Sequence, residues 1–278
     1  MSKSTSGVSA PSPNGTSPSE VKRTPRSRKT RPAVTDTTFL LNRSMISALR
    51  QQIESRFPRG WSGRVLDVGC GSRPYVTLFD QRCAEYVGCD EYPVDSSIVR
   101  CPADRLVFGD GEFDLVFCSQ VLEHVARPWA VVQECSRVLR PGGVALLTAP
   151  FLFPHHPSPT DFYRFTHEGL SFLATDAGLE VEEVSAQCGS IATVFLITNW
   201  YVNLFRHVLN RRWATKPLSW LCSYSVLVPL NLLGMAVDRV AYTRDHTRGN
   251  MGVANYMLIA RKPLVERVRG DELPARVS

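Results

Sequence analysis

The sequence lacks the cysteine and histidine spacings that mark a small zinc site. None of its 8 cysteines forms a C-x-x-C pair, and no His-x3-His segment follows them. Several cysteines lie inside apolar runs, where a reduced thiol packs as a small hydrophobic side chain. We therefore expect no metal site, no disulfide framework, and a reducing, cytoplasmic location.

The first residues also lack an apolar stretch of the kind found in a secretory signal peptide. Residues 1–36 are rich in Ser, Thr, Pro and basic side chains without apolar periodicity, which predicts a disordered basic tail. The surplus of positive charge lies mainly in this tail, so it is weak evidence for a nucleic-acid partner, and we expect none. Residues 266–278 are predicted to form a polar C-terminal tail.

Between the tails, short apolar segments alternate with segments of helical periodicity. The predicted strands are 65–68, 86–90, 98–101, 113–118, 144–149, 181–186 and 253–261. The predicted helices are 38–57, 129–139 (stopped by Pro141-Gly142-Gly143) and 168–177. This alternation predicts an α/β fold, a doubly wound and mostly parallel sheet with helices on both faces.

A glycine-rich turn, residues 67–71, follows the first predicted strand. Ligands of open α/β sheets bind beyond the carboxyl ends of the strands, at such a position. Pro74 stands where a dinucleotide-binding turn has its third glycine, and the Asp67 carboxylate would repel a pyrophosphate. Asp90 ends the second strand, where an acid can accept hydrogen bonds from ribose hydroxyls. The pattern favours a cationic nucleoside cofactor over NAD.

Four segments resemble, in the same order, the motifs of class I methyltransferases dependent on S-adenosylmethionine (SAM), in the type 11 branch. They are VLDVGCG at 65–71, YVGCD at 86–90, FDLVFCSQVLEHV at 113–125 and VLRPGG at 138–143. The resemblance implies SAM as cofactor and a Rossmann-like sheet of seven strands, the last antiparallel. The cofactor-binding residues that it implies are Asp67, Gly69, Cys70, Gly71, Asp90, Cys118, Ser119 and Gln120.

The sequence departs from the family pattern at the expected adenine contact. Members of the family usually carry an acid four residues before the segment that corresponds to 106–108, and this chain has Pro102 there. Asp104 lies two residues away. We therefore expect adenine to be bound either by Asp104 or by backbone and apolar contacts alone.

The loop after the fifth strand, residues 150–166, is where we place the catalytic groups. Methyl transfer from an activated donor mainly requires alignment and exclusion of water, and an oxygen or nitrogen acceptor can also require a general base. His155 and His156 are the candidate bases. Asp161 would orient a histidine or contact substrate hydroxyls, and Tyr163 would hydrogen-bond the acceptor.

Two further residues are predicted to contact the substrate, each with a structural alternative. Arg164 can bind a phosphate or carboxylate, or can form a structural ion pair with Asp161 ahead of a helix cap at Thr166. His124 follows Glu123 in the family motif, and can instead simply pack at the start of a helix.

Residues 190–250 interrupt the alternation and separate the predicted core, 37–189, from its last strand, 251–265. Two uncharged runs, 190–205 and 217–237, flank a basic connection, which predicts a helical hairpin. The hairpin is interpreted as a membrane interface with Trp200, Trp213 and Trp220 at the boundary, as a lid over the active site, or as core or dimer packing.

The sequence thus predicts a SAM-dependent methyltransferase that acts on a small or lipid-linked acceptor, with oxygen as the favoured acceptor atom. It is expected to be cytoplasmic, with peripheral contact to a membrane through 190–250. A catalytically silent SAM-binding partner or regulator is the alternative. An NAD-linked oxidoreductase is disfavoured by Asp67 and Pro74.

Overall fold

The computed structural model describes residues 30–156, 160–210, 221, 223–241 and 252–264. The helices are α1 (Phe39–Arg56), α2 (Pro128–Val138), α3 (His167–Asp176), α4 (Ser190–Asn210) and α5 (Val228–Ala241). The strands are β1 (Arg64–Val68), β2 (Glu85–Asp90), β3 (Val99–Arg100), β4 (Phe113–Ser119), β5 (Leu139–Pro150), β6 (Glu180–Gln187) and β7 (Asn255–Arg261). The predicted C-terminal tail and most of the predicted basic tail lie outside the described residues.

The seven strands form one sheet in the order β3-β2-β1-β4-β5-β7-β6. β1 to β5 pair in parallel, and β7 is antiparallel to both of its neighbours, β5 and β6. The predicted fold class is therefore confirmed. The strand order reverses between β1 and β4, so the connections that leave these two strands diverge and open a crevice at their carboxyl ends.

Two local features differ from the predicted elements. β5 begins at Leu139 instead of Val144, because Leu139 already pairs with Phe113 before a register shift restarts the ladder at Leu115 and Val144. β1 and β2 are joined through a single short helical turn, Val76–Leu78. The proline and glycines that follow α2 lie within the irregular first part of β5.

Apolar residues cover both faces of the sheet. On one face α1 contributes Met45, Leu49 and Ile53, which pack with Leu115 and Ile259 of the sheet. These three α1 residues are spaced by four, so they lie on one side of the helix. The opposite face packs against α2 and α3. A strand covered on both faces is expected to be mainly apolar, as the buried residues 115–118 of β4 are.

The predicted hairpin is built from α4 and α5, which contact each other and α1. Ala192 and Leu196 of α4 pack with residues at the start of α1. Among the described helices, none combines the length and apolar character needed to cross a bilayer. Trp213, Trp220 and the basic residues Arg211, Arg212 and Lys216 lie outside the described residues.

A buried amide pair anchors this hairpin. The Asn199 side chain donates to Asn231 Oδ1 at 2.7 Å, and Asn231 Nδ2 donates to the carbonyl oxygens of Val34 and Asp36 at 2.7 and 3.2 Å. Asn231 is fully buried. These bonds join both helices to the segment that precedes α1.

Replacing Asn231 by leucine is expected to lower the free energy of unfolding by about 2 kcal/mol, because the Asn199 amide and the Val34 carbonyl would lose their partner. Urea unfolding followed by circular dichroism measures the change. Thr198→Ala, on the exposed side of α4, is the control and should shift stability by no more than about 0.5 kcal/mol. Equal effects of the two substitutions would show that the amide pair does not anchor the hairpin.

Candidate active site

The turn after β1 adopts a backbone conformation that two of its glycines make accessible. Gly69 has φ +64° and Gly71 has φ +52°. A Cβ on Gly69 would lie 2.5 Å from a methyl group of Val121, whereas a Cβ on Gly71 would meet no atom within 4 Å. The left-handed conformation favours glycine at both positions. The turn therefore packs tightly against the end of β4 at Gly69 and faces open space at Gly71.

Asp90 joins the end of β2 to this turn. One carboxylate oxygen accepts the Gly71 amide at 2.9 Å, and the other accepts the Tyr92 amide at 2.8 Å. A carboxylate offers about four acceptor positions, so each oxygen retains capacity for a further donor. This arrangement suits the predicted role of Asp90 as acceptor for ribose hydroxyls.

Asp67 lies beneath the turn, buried, and accepts a hydrogen bond from the Tyr86 hydroxyl. Burial raises the pKa of Tyr86, so the phenol stays a neutral donor. Asp67 also borders a depression of about 80 Å³. The residues that line it are Asp67, Gly69, Cys70, Gly71, Ser72, Pro74, Tyr75, Ser119 and Gln120. A carboxylate beside exposed glycine backbone fits the cationic amino-acid end of SAM.

The residues at the end of β4 divide between this depression and the core. Ser119 Oγ lies 2.8 Å from Thr148 Oγ1, and Gln120 Nε2 donates to Thr148 Oγ1 at 3.1 Å and to Asn255 Oδ1 at 2.8 Å. Gln120 has φ +58°, a strained conformation for a residue other than glycine. The Cys118 side chain is fully buried, so a cofactor contact by this residue would involve its backbone.

The Asp104 carboxylate is engaged by the Arg127 guanidinium, at 2.7 Å. Adenine binding by Asp104 would have to share the carboxylate with this cation. The role that the sequence suggested for Asp104 stays a prediction.

In the loop after β5, Asp161 and Arg164 form the ion pair that was the structural alternative. The two Asp161 oxygens accept from Arg164 at 2.6 and 2.8 Å, and the guanidinium holds the pKa of Asp161 well below its usual range. Arg164 also donates to the carbonyl oxygens of Phe153, Pro154 and Tyr163. These contacts use all five of its N–H groups, so this geometry leaves no donor for a substrate anion. Thr166 Oγ1 accepts from the Gly169 amide at 3.0 Å and caps α3.

The two candidate bases differ in their surroundings. His155 is exposed, whereas His156 is partly buried and its burial lowers its pKa. The His156 ring lies edge-to-face against the rings of His124 and Phe153, with centroids 5.2 and 5.0 Å apart. The Tyr163 hydroxyl donates to the Ala126 carbonyl at 3.0 Å, which directs this phenol to the chain after β4.

Two features of the site were not anticipated from the sequence. Thr148 and Asn255 hold Gln120, and their signal was a polar residue inside or beside an apolar strand run. His124 and His156 lie together with Glu123 in one cluster of potential metal ligands. No spacing in the sequence predicts that cluster, because its members come from two different loops.

Known proteins resemble the chain over the part that forms this site. A family model described as a methyltransferase domain matches residues 66–147. An uncharacterized methyltransferase of Mycobacterium sp. (strain KMS) is 36% identical over 115 residues, which are 38% of this chain and 45% of that protein. The ubiquinone biosynthesis O-methyltransferase of Pseudomonas paraeruginosa is 29% identical over 158 residues, which are 45% of this chain and 68% of that protein.

A solved structure shows the same fold at low identity. The [4+2]-cyclase SpnF has a TM-score of 0.52 and 18% identity, with 79% of this chain and 82% of that chain covered. The chain spans less than half the length of the mycobacterial relative. The matched family model covers the glycine turn, Asp90 and the end of β4. Residues 66–147 of the chain are therefore similar to the methyltransferase domain of the type 11 branch of class I enzymes, whose cofactor is S-adenosylmethionine.

Proposed function

We propose that this protein transfers the methyl group of SAM to an oxygen atom of a small or lipid-linked acceptor. The observation that carries the proposal is the position of two groups of residues at one edge of the sheet. The glycine turn with Asp67 follows β1, and the histidine-bearing loop follows β5, which is parallel to β4 and through it to β1. Donor and acceptor groups would therefore meet at the carboxyl ends of the strands.

SAM supplies an activated methyl group when bound, so the chain has to hold the donor and align the acceptor. Asp67 would attract the cationic amino-acid end, and Asp90 would accept the ribose hydroxyls. His155 is the proposed general base. Among the described residues, no hydrogen bond or ion pair involves its exposed imidazole.

His155→Ala is expected to lower the turnover number by about 100-fold with the true acceptor, because a positioned base contributes at least that factor. His167→Ala, an exposed histidine at the start of α3, is the matched control. Release of S-adenosylhomocysteine measures turnover. If the turnover number of His155→Ala stayed within a few-fold of the wild-type value, His155 would not be the general base.

The hairpin supports a hydrophobic acceptor. The ring of Trp200 on α4 contacts Phe153 of the loop after β5, with centroids 5.3 Å apart. Beyond Trp200, α4 exposes Tyr201, Leu204, Phe205 and Val208, which lie on one side of the helix. An exposed apolar helix face next to the acceptor loop is suited to a membrane surface from which a lipid-linked acceptor is taken.

Flotation with anionic liposomes tests this surface. The wild-type chain is expected to float, and the variant with Leu204 and Phe205 replaced by serine is expected to stay with the soluble fraction. Thr198→Ala on the same helix is the control. A wild-type chain that never floats would contradict the membrane interface and leave the methyltransferase proposal intact.

A second candidate is a catalytically silent SAM-binding protein. The observation in its favour is that Asp161, Tyr163 and Arg164 are all engaged in hydrogen bonds within the chain. A fold of this kind does not by itself determine a reaction.

The name of the Pseudomonas relative, a ubiquinone biosynthesis O-methyltransferase, supports the first candidate, with an oxygen acceptor on a lipid-like molecule.

Two measurements separate these candidates. Isothermal titration with SAM should show binding in both cases, and absence of SAM binding by the folded chain would overturn the proposed function. Incubation with SAM and extracted lipids and glycans should release S-adenosylhomocysteine only from an active enzyme. Binding without turnover in every extract would favour the silent protein.

A further inference from the structure

Three potential metal ligands meet beside the loop that follows β5. Glu123 and His124 lie in the short helical turn after β4, and His156 lies in the loop. One ligand atom from each residue lies within 4.8 Å of the others. We propose that Glu123, His124 and His156 bind a divalent first-row transition-metal ion, with Zn²⁺ as the best match to two imidazoles and one carboxylate.

Backbone carbonyls orient both imidazole rings. His124 Nδ1 hydrogen-bonds to the Thr160 carbonyl, and His156 Nδ1 lies 3.1 Å from the Pro154 carbonyl. A carbonyl oxygen only accepts, so each of these bonds requires the proton on Nδ1 and leaves Nε2 with a lone pair. Arg164 Nη2 also lies 3.5 Å from His156 Nδ1, farther than the carbonyl. Metal-binding histidines are commonly oriented in this way, with the other ring nitrogen donating to a carbonyl or carboxylate.

The charge of the cluster also favours a cation. The Glu123 side chain is fully buried, and its Oε1 lies 3.7 Å from His124 Nε2. A lone pair that faces a buried carboxylate is unfavourable, and a positive charge between the two atoms would reverse this. A metal ion bound by both residues would supply that charge.

The surrounding loop holds the ligands together. Thr160 Oγ1 donates to the His124 carbonyl at 2.9 Å, and the Phe162 amide donates to the Glu123 carbonyl at 2.7 Å. The His156 amide donates to Asp161, which Arg164 fixes. Ligand atoms around a tetrahedral zinc ion are about 3.4 Å apart. Small side-chain rotations would therefore close the site, and Asp161 and Arg164 are positioning residues for it.

Three protein ligands leave a coordination position open, as in catalytic zinc sites. The open position would take the acceptor oxygen, a role that rests on the proposed function. A bound cation lowers the pKa of a hydroxyl that coordinates it. The hydroxyl proton would pass to the proposed base His155, and the oxygen would take the methyl group as the S–C bond of SAM breaks and S-adenosylhomocysteine leaves. Metal binding itself does not depend on this role.

Titration of the chelator-treated full chain with Zn²⁺, and with Co²⁺ followed by visible absorption, tests the site. We expect one equivalent of metal ion to bind. His124→Ala and His156→Ala should each weaken Zn²⁺ binding by about 100-fold or more, which exceeds the loss of affinity expected when only a group that supports a ligand is removed. His155→Ala, the exposed neighbour of His156, is the control and should bind Zn²⁺ as the wild type does. Circular dichroism verifies that each variant is folded.

Failure of the folded wild type to bind Zn²⁺ would overturn the site. Equal weakening by His155→Ala, or equal competition by Mg²⁺, which prefers oxygen ligands, would overturn it too. These titrations contain no SAM, so their failure leaves the proposed function standing. Loss of SAM binding with Zn²⁺ binding retained would contradict the proposed function alone.

Discussion

Replacing Arg164 by alanine is expected to lower the free energy of unfolding by about 3 kcal/mol, because it leaves the Asp161 carboxylate buried without its cation. The Asp161 side chain is only 1% exposed. The same change removes donors from three backbone carbonyls of the loop. Urea unfolding near neutral pH gives the difference from wild type.

Arg127→Ala is the matched control for this substitution. Arg127 pairs with Asp104 at a similar distance, but its side chain is 63% exposed. Solvent screening limits such a pair to about 1 kcal/mol or less. If Arg164→Ala were no more destabilising than Arg127→Ala, the ion pair would not be what holds the loop.

The effect of Arg164→Ala should also depend on pH. Arg164 lowers the pKa of Asp161 in the folded state, so this ionised pair stabilises the fold above the ordinary carboxyl pKa of about 3.9. The stabilisation is lost as the pH falls below that value and the carboxylate is protonated. The gap in stability between wild type and Arg164→Ala should therefore narrow as the pH falls from about 4 toward the lowered pKa of Asp161. A gap that stayed constant would assign the effect to the carbonyl contacts instead.

Asp90→Ala is expected to raise the dissociation constant for SAM by about 10-fold to 100-fold. The substitution removes the acceptor for the Gly71 and Tyr92 amides and the proposed acceptor for the ribose hydroxyls. Hydrogen bonds to a charged group contribute about 1.5–3 kcal/mol each, and about 1.4 kcal/mol is tenfold in affinity. Isothermal titration measures the change.

Asp95→Ala serves as the control for Asp90→Ala. Asp95 accepts from Arg73 and Ser97 in the connection between β2 and β3, outside the proposed cofactor site. Its replacement should change SAM affinity by less than about threefold, since no contact to the cofactor is lost. If Asp95→Ala and Asp90→Ala weakened SAM equally, Asp90 would support the loop only.

Much of the fold could be predicted because its signals are local. β1, β4 and β7 are short, mainly apolar runs, and α1 repeats apolar residues every three or four positions. The predicted start of β5 at Val144 was wrong, since the strand begins at Leu139, which pairs with Phe113 across the sheet. That pairing depends on a distant strand, which local pattern does not report.

The candidate site was likewise predicted from the sequence only in part. Asp67, Gly69, Gly71 and Asp90 were predicted as cofactor residues because they occupy adjacent strand ends in a known order, and they are neighbours in the structure. The sequence left two interpretations of Asp161 and Arg164, and the folded loop has the ion pair.

The sequence by itself determined the order of strands and helices along the chain, the family resemblance and the position of the glycine turn, because each depends on residues that are close along the chain. Only the tertiary structure decided that all donors of Arg164 are used within the loop, that Cys118 faces the core, and that His124 and His156 meet beside Glu123. Each depends on how the chain folds in three dimensions, and the last joins residues from two separate loops. The glycine turn indicates the donor, and the loops packed around Glu123 hold the groups that we propose for the acceptor.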